Sequence, residues 1–202
     1  MGMKRAQMTV LALALAASSG VKAHAQTDVA FSFLGAFSQS SSGNGTEQNP
    51  SIHGGGLVQL RHISNPLVGY EVTYSYNHAN QVYSQSPSSQ VSLPPQPVSA
   101  AANEVTGDWV VSLRVLNVKP FALAGIGVII NHPTGDQVLT NTSTNAVYVY
   151  GAGLDVGLIP HFGLRLQYRG NLNKAPDLSK VFTSTDKFIH TAEPMAGLYL
   201  RF

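Results

Sequence analysis

The chain has 202 residues, with 12 basic and 10 acidic side chains, seven histidines and no cysteine. Without cysteine there is no thiolate metal site, no catalytic thiol and no disulfide framework. Lys4, Arg5 and Lys22 sit in the first 25 residues, and the other basic residues are scattered singly along the chain, which excludes a basic stripe for nucleic acid.

Residues 1–25 read as a cleaved signal peptide. Lys4 and Arg5 form its positive n-region, Met8 to Ala17 its apolar h-region, and Ala23-His24-Ala25 its cleavage site. Residues 26–202 then form one domain. Beyond the h-region no apolar run approaches the ~20 residues of a membrane-spanning helix, so any membrane crossing is made by strands.

Period-two alternation of apolar and polar residues predicts strands over 28–39, 51–64, 67–80, 104–116, 119–131, 146–159, 161–173 and 188–202. Each is long enough for a tilted strand, which needs ~9–11 residues to cross a bilayer. The connections alternate in length. Asn65-Pro66, Asn117-Val118 and Pro160 are tight, whereas 40–50, 81–103, 132–145 and 174–187 are long and polar. Their Ser, Asn, Gln, Pro and Gly content predicts solvated irregular loops, and 81–103, with Pro87, Pro94, Pro95 and Pro97, reads as extended.

One parity of the strands is apolar: Phe31, Phe33 and Phe37, Val58 and Leu60, Tyr70 to Tyr76, Trp109 and Val111, and Leu198, Leu200 and Phe202. The other carries Arg61, Glu71, Asp108, Arg114, Asp155, Arg165, Arg169, Glu193 and Arg201. Charge is costly in hydrocarbon, so in a membrane barrel this face is the lumen, where five Arg meet four carboxylates as a structural plug of ion pairs. Gly125, Gly127, Gly151, Gly153, Gly163 and Gly197 share the inward parity and leave room for the bulky neighbours. A soluble barrel with the apolar parity inside has the same alternation and stays open as an alternative.

Gly69-Tyr-Glu-Val-Thr-Tyr-Ser-Tyr76, Lys119-Pro-Phe-Ala-Leu-Ala-Gly-Ile-Gly127, Tyr150-Gly-Ala-Gly-Leu-Asp-Val156 and Phe162-Gly-Leu-Arg-Leu-Gln-Tyr168 resemble the hairpins of the OmpA-type outer-membrane β-barrel family. The resemblance covers residues 26–202. It implies an all-β, eight-stranded, antiparallel up-and-down barrel in the outer membrane, surrounded by its lipids, with tight turns in the periplasm and long loops outside. The last strand ends on Phe202, which resembles the C-terminal signal read by the outer-membrane assembly machinery. No peptidoglycan-binding domain follows that strand, so the envelope-tethering role of larger relatives is not expected here.

Few residues invite chemistry. His62 and Ser64 lie two apart in a His-x-Ser-Asn pattern similar to that of lipid A deacylases, where His activates Ser. Their place beside a tight turn, and their outward parity, argue against that use. Excluding His24, the histidines lack paired ligand spacing, so no metal or cofactor is expected. Gly54-Gly-Gly56 lacks the Lys-Ser/Thr of a phosphate loop and reads as a strand bend. The chain therefore reads as a non-enzymatic protein of envelope integrity and surface display. The alternatives are an adhesin or receptor taking an extracellular ligand through 81–103, a lipid A-modifying enzyme, and a small-solute channel.

Overall fold

A computed structural model of the chain describes residues 26–64, 67–86, 93–135 and 139–202. The expected signal peptide, the Asn65-Pro66 turn and Pro87 lie outside the described residues. In chain order the strands are β1 (Gln26–Ser38), β2 (Ser41–Gly43), β3 (Thr46–Pro50), β4 (His53–Ile63), β5 (Val68–His78) and β6 (Gln81–Gln85). They continue with β7 (Gln96–Val98), β8 (Ala100–Ser112), β9 (Val118–Pro133), β10 (Ser143–Ile159), β11 (Phe162–Lys174) and β12 (Phe188–Arg201).

Eight strands close into an antiparallel barrel in the order β1-β12-β11-β10-β9-β8-β5-β4, and β4 pairs back onto β1. Closure leaves the barrel without an edge strand, which satisfies the backbone of every strand. All eight sequence-derived ranges fall on barrel strands, with shifted ends. β8 begins at Ala100 instead of 104 because Ala101 and Ala102 pair with His78 and Asn77, and a run of alanines shows no alternation. β9 and β10 run past the bilayer-crossing length at the loop end of the barrel.

Side-chain burial decides which parity faces in. Phe33 is 71% exposed and Trp109 70%, while Arg61, Arg165 and Arg169 are fully buried. The apolar parity therefore lies outside, and the soluble alternative with an apolar interior is excluded. Between the buried charges the lumen holds small apolar layers, one of Ile63, Val110, Phe121, Leu123, Val147 and Val149, another of Leu34, Ala36, Leu57 and Met195. Gly153 leaves room for the first of these layers, since a Cβ there meets the Phe121 ring, and Gly163 leaves room for the buried Tyr199 ring in the same way.

The loops correct the sequence reading. The described residues of 40–50 and 81–103 supply a second, four-stranded sheet in the order β2-β3-β6-β7 where irregular loops were expected. Its first hairpin turns at Asn44-Gly45, where both residues have positive φ, 51° and 76°. That pair is the strong hairpin signal for a two-residue turn. Pro97 sits on β7, an edge strand of this sheet, where a missing N–H is tolerated.

Segment 174–187 crosses this sheet and closes a core of Tyr83, Val98, Ala100, Leu178 and Phe182. Tyr83 is the hub. Its hydroxyl donates to the Pro176 carbonyl at 2.6 Å and accepts from the Leu178 N–H at 3.0 Å and from Gln48 Nε2 at 3.3 Å. Burial pushes the Tyr83 hydroxyl well above the usual phenol range, so it stays a donor. On the same segment, burial and the nearby Asp186 push the Asp177 carboxyl up.

Candidate functional site

Strand register sets the charged lumen. Arg61 lies opposite Glu71 on β5 and Asp28 on β1, Asp155 on β10 lies opposite Arg165 on β11, and Arg169 lies opposite Glu193 on β12. Directly opposed residues on one face are the closest side-chain neighbours a sheet offers. The barrel then brings distant strands together across its axis.

The larger cluster lies toward the turn end. Arg61 Nε donates to Glu71 Oε2 at 2.6 Å, and its Nη1 reaches Asp155 Oδ2 at 3.4 Å. Arg165 holds both oxygens of Asp155, through Nε at 2.7 Å and Nη2 at 2.9 Å, and Nη2 also donates to Asp28 Oδ1 at 2.8 Å. Gln59 ties the two guanidinium groups together. Its Nε2 donates to Glu71 Oε1 and to Gln167 Oε1, each at 3.0 Å, and its Oε1 accepts from Arg165 Nη1 at 3.4 Å. The Arg61 guanidinium stacks 4.0 Å over the Phe121 ring, so its apolar face is covered too.

A second cluster sits toward the loop end. Arg169 Nη2 donates to Glu104 Oε1 at 2.6 Å and to Thr106 Oγ1 at 3.1 Å, and Asn171 Nδ2 donates to Glu104 Oε2 at 2.9 Å. Asp108 accepts from Thr106 Oγ1 at 3.0 Å. Above it, Asn131, Asn171 and Glu193 line a cavity of about 40 Å³, and each of them keeps a buried polar atom without a protein partner. A space of that size holds a few ordered waters.

Of the residues read as ion-pair partners, Asp108 and Glu193 face the lumen but make no ion pair among the described residues, and two more lie outside the network. Arg114 is exposed, because β8 ends at Ser112 and the alternation that would turn it inward ends there as well. Arg201, on the last residue of β12, is half-buried at the turn-end mouth, where it donates to the Tyr199 hydroxyl at 3.3 Å. Three inward charges were missing from the sequence reading: Asp28, Glu104 and Lys119, each buried. Asp28 and Glu104 open the predicted ranges 28–39 and 104–116, where they share the parity of the other inward residues; that parity was the available signal.

His62 and Ser64 form no dyad. His62 faces outward beside Tyr70 with ring centroids 5.2 Å apart, and its Nδ1 bonds to Thr27 Oγ1 at 2.9 Å. With Trp109 opposite Tyr70 in the next pair, these rings form part of an outer aromatic belt. Ser64 is exposed, and its N–H donates to the Val68 carbonyl across the turn. Among the described residues no group of three His, Asp or Glu side chains is arranged to hold a metal ion. Phe202 is 71% exposed, and its N–H donates to the Thr27 carbonyl, which ties the chain end into the barrel.

The fold is shared with solved outer-membrane barrels. The attachment invasion locus protein Ail of Yersinia pestis, solved with the heparin analogue sucrose octasulfate, is 16% identical, with a TM-score of 0.53 over 89% of this chain and 99% of that one. Neisserial surface protein A is 14% identical at a TM-score of 0.57, covering 87% and 97%. OprG of Pseudomonas aeruginosa is 9% identical at 0.59, covering 89% and 97%. No curated protein matches the sequence significantly. The model of the outer membrane protein beta-barrel domain matches residues 9–193, and with the closed eight-stranded barrel and its apolar outer face this places the chain in the outer membrane, as a member of that family.

Proposed function

We propose that this chain is a non-enzymatic, non-conducting outer-membrane protein that supports envelope integrity and displays an ordered sheet at the cell surface. One observation carries the reading. Arg61 and Arg165, each fully buried, bond across the lumen to carboxylates on β1, β5 and β10 and fill the interior that a channel needs open. In this reading residues 1–25 are the cleaved export signal, and Phe202 on the terminal strand is the part read by the assembly machinery. The engagement of His62 with Thr27 and Tyr70 speaks against lipid A chemistry at that residue.

Deletion of the gene tests the envelope role. The deletion strain is expected to become sensitive to bile salts and to large antibiotics normally held out by the outer membrane, with resistance restored by the full chain. Unaltered sensitivity sinks the envelope role. The lipid A mass spectrum is expected to be the same with and without the protein; a lost acyl chain returns the enzyme reading.

A second reading, adhesion through 81–103, is favoured by the order of β6 and β7 in the surface sheet. Segment 81–103 has no charged residue, and the other long loops set Lys174, Lys180 and Lys187 against Glu47, Asp136, Asp177 and Asp186. That balance does not fit a polyanion of the kind seen with Ail, so a partner here meets neutral polar and apolar contacts. Replacing 81–103 by a short turn should abolish cell attachment if the loop is the binder, and attachment that survives removes the idea.

A further inference from the structure

We propose that the periplasmic mouth of the barrel is a binding site for a phosphate-class oxyanion, held by Lys119 with Arg201 and Arg114. Lys119 is the second residue of β9 and lies opposite Asp155 in register, with its side chain turned into the lumen and only 7% exposed. The Asp155 carboxylate beside it is already engaged, held through both oxygens by Arg165 and reached by Arg61. Asp28 is held by Arg165 through Oδ1, and its Oδ2 is buried without a partner. Among the described residues none pairs with the Lys119 ammonium.

A buried ammonium held in no ion pair is unfavourable, even with Asp155 and Asp28 near enough to attract it. The space it fronts has room for a further counter-charge. A cavity of about 290 Å³ opens at this mouth, lined by Lys119, Arg114, Arg201, Asn117 and Tyr199, with Asp155 on its floor. Arg201 Nε is buried there without a partner, and its Nη2 is steadied by the Tyr199 hydroxyl. Arg114, exposed on the rim, adds a third cation.

Three cations therefore converge on a space whose lining carboxylate is already bound. A tetrahedral oxyanion offers several acceptor oxygens at once and suits guanidinium forks set beside an ammonium. The cavity exceeds bare phosphate, which leaves room for a small ester group. Its two sources are a free phosphate ester of the periplasm and the headgroup of an inner-leaflet phospholipid.

Calorimetric titration of the chain from Gln26, refolded in maltoside micelles that carry no phosphate, tests the site. Inorganic phosphate, glycerol phosphate and a short-chain phosphatidylglycerol serve as probes, with sodium chloride at matched ionic strength as the reference. Saturable one-to-one binding is expected. Lys119→Gln and Arg201→Gln should each weaken it about tenfold or more, the loss that follows from removing a charge-assisted contact. Lys174→Gln, at the opposite end, should leave it unchanged. Preference between the soluble ester and the lipid names the source.

Each variant is first checked for a heat-sensitive gel shift, and if Lys119→Gln does not fold, Arg201→Gln decides. Absence of saturable binding by the wild type overturns the proposal. So does binding undiminished in the folded variants.

Discussion

At the scale of single residues, the lumen separates charges that hold the barrel from charges that do not. Removing Arg165 strands the buried Asp28 and leaves Asp155 only its 3.4 Å contact with Arg61, and breaking one side of a buried pair costs about 3–5 kcal/mol. Arg165→Met is therefore expected to lower stability in urea unfolding from lipid vesicles by that amount. Arg114 is exposed and outside the network, so Arg114→Gln should stay within about 0.5 kcal/mol of the wild type. Equal losses in the two variants contradict the plug. The sequence alone could not make this distinction, since both arginines share one parity; what separates them is that β8 stops at Ser112.

At the scale of elements, the surface sheet is a unit with its own core, and its stability should be separable from that of the barrel. Tyr83→Phe leaves the Pro176 carbonyl and the Leu178 N–H without their partner. Proteolysis is expected to cut 174–187 faster in that variant while the heat-dependent gel shift of the barrel is unchanged; loss of the gel shift means that sheet and barrel fold as one. The Asp177 carboxyl adds a pH dependence of known sign. Its pKa is raised in the folded protein by burial and by Asp186, so the folded form binds the proton more tightly, and stability falls as pH rises from the unfolded value of about 3.9 through the raised one. Protection of 174–187 should thus be greater at the acid end of that window, and Asp177→Asn should flatten the change. This sheet was the part of the fold least legible in the sequence. β2 and β3 are short and almost wholly polar, so no apolar stripe marks them, and Asn44-Gly45 was the one local sign of a hairpin. The barrel strands were legible because lipid outside and charge inside impose a strict alternation. The pairing of Arg61 with Glu71, or of Arg169 with Glu104, needed the register and the closure that alternation does not contain.

At the scale of the whole molecule, the inversion of an ordinary globular protein sets its behaviour. The apolar surface is outside and the ion pairs are within, so the chain needs lipid or detergent to fold, and in the proposed reading the ion pairs close the axis. In planar bilayers no steady single-channel steps are expected, and reproducible steps of one size remove the plugged-lumen reading. A lipid-facing substitution tests the other surface. Val58 lies on the outer face of β4, about midway along the ~9–11 residues that a strand needs for its crossing. Val58→Arg places a charge near the bilayer midplane and should cost about 2–4 kcal/mol. Unfolding measured in vesicles should show that loss in full. In detergent micelles, whose thin shell lets the guanidinium reach water, the same substitution should cost much less. A penalty of equal size in both media means that Val58 is packed against protein and not against lipid, and the outer face assigned here to the membrane is then a surface that another chain covers.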